Sequence, residues 1–528
     1  MDLNEKKYSD HHPFEPRSEI DFEDRSVRII NDNDNNKTSA FTVPYSSTSA
    51  ADVSMGLPVA VQTSKPIDIE EISIYNIRTK RERNFILVAL SIVALLLPLC
   101  DTIYLPALND IRNSFNTSDI LAVFSVSIYL FTSGLFSLVW GSISDRFGRK
   151  ITLIIALIIF LLVTIVCIFA SSIAVLIVFR ALEGGSVSAT LVVGQASIAD
   201  IYPEEIRGLA SGFFFVLFNI GPVIGPFIGG PLSGAFGWRS TFIFLTIFSV
   251  IVLAVIFILV PETHQYFVKE RFHKAYSNKR IIDAMPNEMP QFQKPWEPLF
   301  YLADLTIAPY IALSTMAFAT LFATITLFPI YLHESPYNYT ETIIGVLYLP
   351  NGISLFIGSI LGGWLSDKAS EYYGHEKYPE GRLVPALILS ILIPVGLLIA
   401  GWTFHYKLHV IGSLIGYSLI GFGQAVVETT VSAYLTIKKQ KEAAAVCAVN
   451  TFIICCAAGI SVTVAVPLQN GMGTGPYFSL MCGMNIVIII LASINVRGAR
   501  SGSELGWVQV GPESENFALT GSGYQSFH

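Results

Sequence analysis

Twelve long apolar segments run through this chain, and they restrict its fold more than any other feature. A helix needs about 20 mostly apolar residues to cross the roughly 30 Å of hydrocarbon in a bilayer. The first segment, residues 85–107, meets this length and is broken only by Pro98 and Asp101. Only 14% of all residues are charged, against roughly 25% in soluble domains. We therefore predict an all-α membrane protein with twelve transmembrane helices.

The predicted spans form two groups of six, separated by a polar stretch. They cover approximately residues 85–107, 120–140, 151–170, 172–194, 208–232, 238–260, 305–332, 342–365, 383–403, 409–437, 443–467 and 475–496. From this division we predict five parts of the chain. These are a disordered cytoplasmic tail (1–80), a first six-helix bundle (81–260), a cytoplasmic linker (261–304), a second six-helix bundle (305–496) and a cytoplasmic tail (497–528).

A charged, glycine-bearing loop follows the second span of each half. It reads G-S-I-S-D-R-F-G-R-K at Gly141–Lys150 and G-W-L-S-D-K at Gly363–Lys368, 222 residues later. Its recurrence at the same point of both halves indicates a duplicated membrane protein, and many secondary transporters are built from such repeats. In the first loop, glycines would permit a tight turn, and an acid could pair with nearby arginines to latch one conformation; an ordinary basic loop is the alternative. The candidate latch residues are Gly141, Asp145, Arg146, Gly148 and Arg149.

Basic residues are distributed unevenly between the loops. If both termini are cytoplasmic, the inner loops hold 16 Lys and Arg and the outer loops hold 3. Because basic loops remain in the cytoplasm, this asymmetry predicts cytoplasmic termini. Two Asn-X-Ser/Thr sequons, at Asn116 and Asn338, fall in outer loops under this topology and are candidate glycosylation sites. We expect the plasma membrane, although a vacuolar or other internal membrane would carry the same signals.

The fifth span repeats glycine and proline at helical spacing. Glycines four residues apart form one smooth helix face, on which another helix can pack closely. The eighth span offers a matching small face at Gly358 and Gly362. Because each proline removes a backbone donor and permits bending, we predict that the fifth and eighth spans form a hinge and a leak seal, with simple helix packing as the alternative. The candidate hinge residues are Gly221, Pro222, Gly225, Pro226, Gly229 and Gly230.

Four ionisable side chains inside predicted spans are candidate proton or substrate sites: Asp101, Arg180, Glu183 and Glu428. An arginine at mid-span costs about 2.5–3.5 kcal/mol on insertion scales, so Arg180 should face an interior cavity or a partner. Glu183 lies one turn away and can pair with it. Arg180 would then tune a proton-carrying carboxylate, or the two would form a static ion pair. Asp101 and Glu428 are isolated acids that can bind a proton or a cationic substrate in low dielectric, unless they lie at span ends and touch water.

Taken together, these motifs resemble those of the major facilitator superfamily. Over residues 85–496 the chain is most similar to the fungal twelve-span multidrug:proton antiporters, in the branch with quinidine-resistance and dityrosine exporters. The fifth-span motif is similar to the one that marks antiporters in this superfamily, whereas the loop at Gly141 marks the superfamily generally. The resemblance also rests on Tyr104-Leu105-Pro106-Ala107-Leu108, Ile198-Ala199-Asp200-Ile201-Tyr202, Arg207-Gly208, Gly237-Trp238-Arg239 and Pro261-Glu262-Thr263.

The resemblance implies a proton-coupled exporter of small cationic or amphiphilic organic molecules, such as drugs, polyamines or an endogenous aromatic metabolite. Two six-helix bundles would rock about a central cavity, and access would alternate between the two sides of the membrane. Asp101 and Glu183 would be the leading carboxylates, with Arg180 tuning Glu183, and the fifth span would supply the hinge. The outward-open state would be latched by Asp145, Arg149 and Asp367.

The chain departs from the family pattern at three places. Glu183 stands where the family usually has Gln, and Asp101 stands where a small polar residue is more common. Both departures add acid to the expected cavity. In the second half, the Gly-Arg-Lys end of the loop motif is missing, which leaves Asp367 and Arg382 as a looser pair.

Two other functions use the same sequence features. A proton symporter importing a small nutrient would share the fold, although the fifth-span motif argues against it. A non-transporting membrane sensor would carry long folded extensions, which the tails do not suggest. No metal, nucleophile–base or phosphate-loop constellation is present in the sequence, so we expect no enzyme activity and no cofactor, with protons as the coupling ion. The expected partners are a small-molecule substrate, protons and lipid, without nucleic acid, and we expect a monomer.

Overall fold

The structure is a computed structural model that describes residues 20–23, 26–29, 70–275, 279–281, 294–304, 306–374, 378–438 and 443–504. Within these residues, twelve helices are long and apolar enough to cross a membrane. The prediction of a twelve-span, all-α membrane protein is therefore confirmed. Most of the predicted tails at 1–80 and 497–528 and part of the linker at 261–304 lie outside the described residues.

The spans are numbered 1–12 along the chain. In the first half they are Lys80–Thr102 continued by Leu108–Ser114, then Asp119–Phe147, Arg149–Ile168, Ile173–Ile201, Glu204–Phe236 and Arg239–Leu259. In the second half they are Ala308–His333, Glu341–Leu347 with Leu349–Tyr373, Val384–Leu389 with Leu392–His405, Val410–Lys438, Ala443–Met472 and Thr474–Glu504.

Short elements lie outside the spans. The linker contains the α-helix Gln265–Ala275, and short 3-10 helices lie at Ile74–Asn76, Leu105–Ala107, Glu297–Ala303 and Pro379–Leu383. Strands Ile20–Glu23 and Ser26–Ile29 pair antiparallel, and strands Glu70–Ile72 and Lys279–Ile281 pair parallel.

Local sequence signals set several span ends. Span 1 begins with a capping box, in which the Thr79 hydroxyl accepts from the Glu82 amide and the Glu82 carboxylate accepts from the Thr79 amide. Ser118 and Ser172 cap spans 2 and 4 through their side chains. Because the first amides of a helix have no partner within it, these side chains fix where each helix begins.

Connections between spans lie at two opposite ends of the bundle. We call one end the basic face; it carries the connections between spans 2 and 3, 4 and 5, 8 and 9, and 10 and 11, together with the linker. The opposite end is the distal face. Spans 1 and 7 lie centrally, with 83% and 78% of their most apolar stretches buried, against 28% and 33% in spans 6 and 12.

The two halves repeat the same backbone turns. A residue with positive φ precedes spans 2 and 8, another follows each of these spans, and a third separates the last two spans of each half. The three pairs are Asn116 and Asn338 (48° and 49°), Gly148 and Gly374 (96° and 84°), and Gly237 and Gly473 (77° and 88°). Because this conformation is uncommon outside glycine and asparagine, three matching positions support the duplication that the loop motif indicates.

The halves contact each other through spans 2 and 11 and through spans 5 and 8. A Cβ placed on Gly134 of span 2 would lie 2.9 Å from the Phe452 carbonyl oxygen of span 11. A Cβ on Gly230 of span 5 would lie 2.6 Å from the Glu341 carbonyl oxygen of span 8. Both pairs of helices therefore approach each other at backbone distance, which only small residues permit.

These contacts extend from the distal face to the middle of the bundle. Midway along spans 5 and 8, the Asn219 amide donates to the Ser359 hydroxyl at 3.0 Å. Nearer the basic face, a Cβ on Gly212 of span 5 or on Gly363 of span 8 would meet nothing within 4 Å. The close contacts described between the halves therefore lie between the distal face and the middle of the bundle.

Candidate functional site

A fully buried ion pair lies at the centre of the first half. Arg180 and Glu183 lie one turn apart on span 4, and both are 0% exposed. Arg180 Nη1 donates to Glu183 Oε2 at 2.7 Å. The same nitrogen lies 3.4 Å from the carbonyl oxygen and 3.3 Å from the sulfur of Cys100 on span 1. The pair therefore joins spans 1 and 4 at a point from which water is excluded.

Two tyrosine rings enclose the Arg180 guanidinium. Its central carbon lies 4.3 Å from the ring centroid of Tyr104 and 4.1 Å from that of Tyr129. Tyr129 is itself fixed, because its hydroxyl donates to the Leu97 carbonyl oxygen at 2.7 Å. Cation–π contacts of this kind strengthen when they are desolvated, so the rings hold the guanidinium in one position. Sequence reasoning used Tyr104 only as part of a family motif and did not identify Tyr129.

Thr164 on span 3 completes the surroundings of Glu183. Its hydroxyl donates to Glu183 Oε1 at 2.8 Å, and the same hydroxyl lies 2.8 Å from the Phe160 carbonyl oxygen. Both carboxylate oxygens of Glu183 therefore have a partner, one charged and one neutral. No sequence signal singled out Thr164, because its contact depends on how spans 3 and 4 pack.

Asp101 lies next to this cluster without joining it. The residue is 1% exposed, so it does not touch water at the span end. Its Oδ1 is buried without a hydrogen-bond partner, although Arg180 is close enough to act on it electrostatically. A buried carboxylate oxygen without a partner is costly in the ionised state. Asp101 and Glu183 therefore have different surroundings, although the sequence suggested the same role for both.

Glu428 is a second acid with incomplete partners, and it belongs to the other half. It lies on span 10, and its Oε2 is buried without a hydrogen-bond partner. Its neutral neighbour is Asn450 of span 11, whose side-chain oxygen accepts from the Ser314 hydroxyl at 3.1 Å. The Cys455 thiol of span 11 interacts electrostatically with both Asp101 and Glu428. The two incompletely paired acids therefore approach the seam between the halves from opposite sides.

A second charged cluster stands at the basic face of the first half. Arg149, the first residue of span 3, donates to Asp145 Oδ1 at 2.5 Å and to Asp200 Oδ2 at 2.8 Å. It also donates to the Ser144 hydroxyl at 2.7 Å. One arginine thus ties together the ends of spans 2, 3 and 4. Asp200 was known from the sequence only as part of a family motif, since it lies 51 residues from Arg149.

The two glycines of the loop and Arg146 have separate environments. Gly148 has a φ of 96°, and a Cβ there would lie 2.6 Å from the Glu262 carboxylate, so it forms the predicted turn. Gly141 does not, because it lies inside span 2 with only an ordinary contact to Val192. Arg146 is exposed and lies over the ring of Phe147. The turn therefore depends on one glycine rather than two.

Glu262 links the linker to this cluster. Its carboxylate accepts from the backbone amides of Arg149 at 2.9 Å and Lys150 at 3.2 Å, which are the first amides of span 3. The next residues, Thr263 and His264, also donate their amides to it. Burial and the nearby Arg149 guanidinium lower the pKa of His264 below its usual value. The segment after span 6 therefore caps span 3, a function that sequence reasoning did not assign to it.

The basic face of the second half carries a different arrangement. Asp367 and Arg382 do pair, at 3.0 Å, but the Asp367 side chain is 69% exposed. A second pair joins Glu380, ahead of span 9, to Lys438 at the end of span 10 at 2.7 Å, with Glu380 largely buried and Lys438 partly exposed. Tyr434 donates to the same Glu380 oxygen. In the first half the base, Arg149, begins span 3 and the acid, Asp200, lies near the end of span 4. In the second half the acid precedes span 9 and the base ends span 10. In each cluster, both partners belong to the same half.

The prediction that the small face of span 5 packs on span 8 is wrong. Added Cβ atoms on Gly221, Gly225 and Gly229 would instead meet Pro98, Thr102 and Ile103 of span 1. Gly358 and Gly362 of span 8 face span 10. Of the six candidate hinge residues, Gly230 and the Pro226 carbonyl oxygen contact Gly345 of span 8, and Pro222 and Pro226 lie inside one continuous helix. The four-residue spacing indicates a smooth face, but it does not specify which helix packs there.

The distal face carries both sequons and a small cavity. Asn116 and Asn338 are exposed there, in the matching turns before spans 2 and 8. A cavity of about 90 Å³ lies where the two halves meet, with Arg112 and Asp119 on one side and His333 on the other. Arg112 and Asp119 pair with each other at 2.9 Å. Polar groups of both halves therefore border the closed seam.

Comparisons with known proteins agree with this architecture. The family model for the Major Facilitator Superfamily matches residues 90–463. The MFS transporter fsa7 of Fusarium sp. (strain FN080326) is 30% identical over 456 residues, covering 84% of this chain and 88% of that protein. The MFS antiporter QDR3 of Candida albicans is 25% identical over 528 residues, covering 76% of each. Citrate exporter 1 of Aspergillus niger is 26% identical over 460 residues, covering 80% and 87%.

Solved structures share the fold at low sequence identity. The xylose transporter XylE of E. coli, in a partially occluded inward-open conformation, aligns with a TM-score of 0.59 at 15% identity, covering 78% of this chain and 97% of that one. A bacterial homologue of the human lysosomal transporter Spinster, in an inward-facing and unoccupied conformation, aligns with a TM-score of 0.56 at 14% identity, covering 81% and 98%. These alignments concern the fold alone.

Proposed function

The chain belongs to the Major Facilitator Superfamily, and from this membership we propose that it is a proton-coupled antiporter exporting small cationic or amphiphilic organic molecules. It is a multi-pass membrane transporter and not an enzyme, and its relatives include proteins named as exporters and antiporters. The observation that carries the proposal is the difference between two buried acids. Glu183 has a partner on each oxygen, whereas Asp101 Oδ1 has none.

The surroundings of Asp101 suit exchange between a proton and a cation. Asp101 is 1% exposed and its Oδ1 has no hydrogen-bond partner, so an ionised carboxylate there is costly and a bound proton removes that cost. A proton and a cationic cargo would compete for the same carboxylate, so binding of one would release the other. This competition couples the movement of the proton to the movement of the cargo, although the proton and the cargo never contact each other.

Glu183 and Arg180 act as a fixed pair beside this exchange site. Glu183 pairs with Arg180 at 2.7 Å, and Thr164 and the two tyrosines hold the pair in place. The remaining influence of Arg180 on Asp101 then depends on how spans 1 and 4 lie relative to each other. The conformational change between the two open states would thereby alter the affinity of Asp101 for its proton.

The described contacts support one orientation of the cycle. We infer that the basic face is cytoplasmic, that both termini lie there, and that the sequon-bearing distal face lies outside the plasma membrane. The close contacts between the halves lie between the distal face and mid-bundle, and from this we infer that the structure corresponds to a state that would admit cargo from the cytoplasm. Opening at the distal face would release cargo and admit protons.

The proton gradient supplies enough free energy for export. A proton moving down about 100 mV releases about 2.3 kcal/mol, and each pH unit adds about 1.4 kcal/mol. If one proton exchanges for one monovalent cation, no net charge moves and the voltage contributes nothing. Each pH unit would then support an approximately tenfold cargo gradient.

Transport by the full chain in proteoliposomes tests this function. Cationic dyes, polyamines and aromatic metabolites would be offered under an imposed pH gradient, with and without a protonophore. We expect a cargo to move against the proton flow, and Asp101→Asn to abolish this movement while Glu371→Gln, an exposed acid, leaves it intact. Cargo moving together with protons would instead indicate the symporter, and movement that survives the protonophore would exclude proton coupling.

A further inference from the structure

Glu428 resembles Asp101 in its surroundings, and we propose that it is a second proton-binding site, so that two protons are exchanged for each cargo molecule. This inference rests on the proposed proton-coupled antiport and adds the number of protons. It concerns the second half of the molecule, whereas the exchange site at Asp101 belongs to the first half. Each half would therefore contribute one titrating carboxyl group.

Hydrogen bonding divides the buried acids into two kinds. Glu183 accepts from Arg180 at 2.7 Å and from Thr164 at 2.8 Å, so its negative charge is compensated. Asp101 Oδ1 and Glu428 Oε2 are buried and accept no hydrogen bond. An unpaired ionised oxygen in such a place costs free energy, and a bound proton removes that cost. Asp101 and Glu428 therefore share the property that a proton-binding site requires, and Glu183 lacks it.

No counterion stabilises the charged form of Glu428. Among the residues that the structure describes, no ion pair involves it, and its polar neighbour Asn450 is neutral and held by Ser314. The titratable group that faces it from span 11 is the Cys455 thiol. The charged groups at the basic end of the helices around span 10 are engaged with each other. These pairs are Glu380 with Lys438 and Asp367 with Arg382.

Glu428 is less enclosed than Asp101. The residue as a whole is only partly buried, whereas Asp101 is 1% exposed. The two groups thus differ in exposure while sharing incomplete hydrogen bonding.

Both acids border the seam that must move during transport. The Cys455 thiol interacts electrostatically with Asp101 and with Glu428, and it lies where span 11 packs against span 2. A Cβ on Gly134 of span 2 would lie 2.9 Å from Cys455 Cβ, so the helices are in close contact at this level. When the halves move against each other, the surroundings of both carboxyl groups change together. One conformational change can therefore load or release two protons.

Carbodiimide labelling of the full chain tests the protonation of Glu428 directly. Dicyclohexylcarbodiimide reacts with protonated carboxyl groups in apolar surroundings, and peptide mass spectrometry locates the adduct. Between pH 6 and pH 9 we expect labelling of Asp101 and Glu428 that declines as the pH rises, with Glu183 unlabelled. Labelling of Asp101 without Glu428 would refute the second site. This readout needs no cargo, so it stands apart from the proposed transport function.

Proton stoichiometry provides the second measurement. Ethidium, a permanent cation whose charge does not change with pH, would be the probe, with the voltage held at zero by potassium and valinomycin. Two protons predict a ratio of internal to external ethidium at equilibrium that changes about a hundredfold per pH unit, and Glu428→Gln should reduce this to about tenfold. The control Glu371→Gln should retain the hundredfold change.

The possible results distinguish a failure of the second proton-binding site from a failure of the proposed proton-coupled antiport. A wild-type ratio that changes only tenfold per pH unit would overturn the second proton and leave antiport intact. A ratio independent of the pH gradient would overturn the proposed coupling itself. An unchanged hundredfold response in Glu428→Gln would assign the second proton to a group other than Glu428.

Discussion

The Arg180 guanidinium shows how much of the site depends on single side chains. It is buried between two tyrosine rings and joined to Glu183, which in turn receives the Thr164 hydroxyl. Breaking a buried ion pair by removing one partner costs about 3–5 kcal/mol, since a charge is left uncompensated. Substitution of a neutral residue around the pair leaves both charges in place, and Thr164 is the most informative of these residues.

Substitution Thr164→Val should remove the hydrogen bond to Glu183 Oε1 without altering the charge of the site. A hydrogen bond to a charged group contributes about 1.5–3 kcal/mol, so we expect a loss of that order in stability and a shifted pH dependence of transport. The matched control is Thr152→Val in the same span, because the Thr152 hydroxyl is equally buried but bonds only to the Gly148 carbonyl oxygen. Thermal unfolding in detergent and transport at several pH values measure the effect. Equal losses in both variants would show that the bond to Glu183 has no special importance.

The sequence predicted part of this cluster and missed the rest for a physical reason. Arg180 and Glu183 lie three residues apart on one helix, so their pairing follows from helix geometry. Thr164 and Tyr129 contact this pair from other spans, and no spacing between residues along the chain predicts such contacts. The sequence also identified Asp101 and Glu428 as isolated acids, but only the structure separates them from Glu183 by their hydrogen bonds.

At the scale of elements, span 5 shows that a helix face can be recognised before its partner is known. Its glycine face packs on span 1, where the Ile103 carbonyl oxygen approaches Gly229 so closely that no side chain fits. The face formed by Gly221, Gly225 and Gly229 therefore packs inside the first half. The seam between halves along span 5 involves Gly230 and Gly234 instead, which contact span 8.

Substitution Gly229→Ala should disrupt the packing of spans 1 and 5. The added methyl group would collide with backbone that cannot rotate away, and overpacking of this kind costs about 1–3 kcal/mol or more. Gly212→Ala is the control in the same helix, because nothing lies within 4 Å of the added Cβ there. We expect Gly229→Ala to lower the melting temperature and transport, and Gly212→Ala to preserve both. Normal stability of Gly229→Ala would contradict the close approach of the two spans.

The segment after span 6 is a second element whose function depends on packing. Glu262 caps span 3, and His264 beside it is 7% exposed, with an Nδ1 that has no hydrogen-bond partner. Burial and the Arg149 charge disfavour a proton on this imidazole, which lowers its pKa in the folded state. The neutral ring is therefore part of the structure of the basic face.

Stability should consequently fall with acidification through His264. In the unfolded chain the His264 pKa is about 6.5, whereas the folded chain resists protonation. Below about pH 6.5 the unfolded state binds the proton more readily, so stability is lost as the pH falls, and above that pH the contribution is constant. Melting temperatures at pH 5.5, 6.5 and 7.5 should decline more steeply in the wild type than in His264→Gln. Parallel declines would exclude His264 as the cause.

At the scale of the whole molecule, the distal seam determines which side is open. Spans 2 and 11 and spans 5 and 8 are in contact from the distal face to mid-bundle. A cavity of about 90 Å³ remains within the closed seam. Alternating access requires this seam to part, so a covalent bond across it should stop the cycle.

The double substitution Gly234→Cys and Thr342→Cys should lock the distal face. A Cβ on Gly234 would lie 3.8 Å from Thr342 Cβ, which matches the separation of about 3.8 Å in disulfides. We expect oxidation to halt transport and a reductant to restore it. Each single-cysteine variant is a control for thiol oxidation elsewhere. Undiminished transport by the oxidised double variant, with the disulfide verified by mass spectrometry, would show that the distal seam does not need to open.

The sequence by itself determined the twelve spans, their division into two related halves and the ion pair between neighbouring turns of span 4. These features depend on local hydropathy and on spacing within one helix, which the order of residues states directly. The tertiary structure alone decided that span 5 packs on span 1, that Glu380 pairs with Lys438 in the second half, and that the distal face is closed. Each of these depends on how helices distant in the chain lie against one another. Such arrangements are set by the sum of many contacts, so no single motif encodes them.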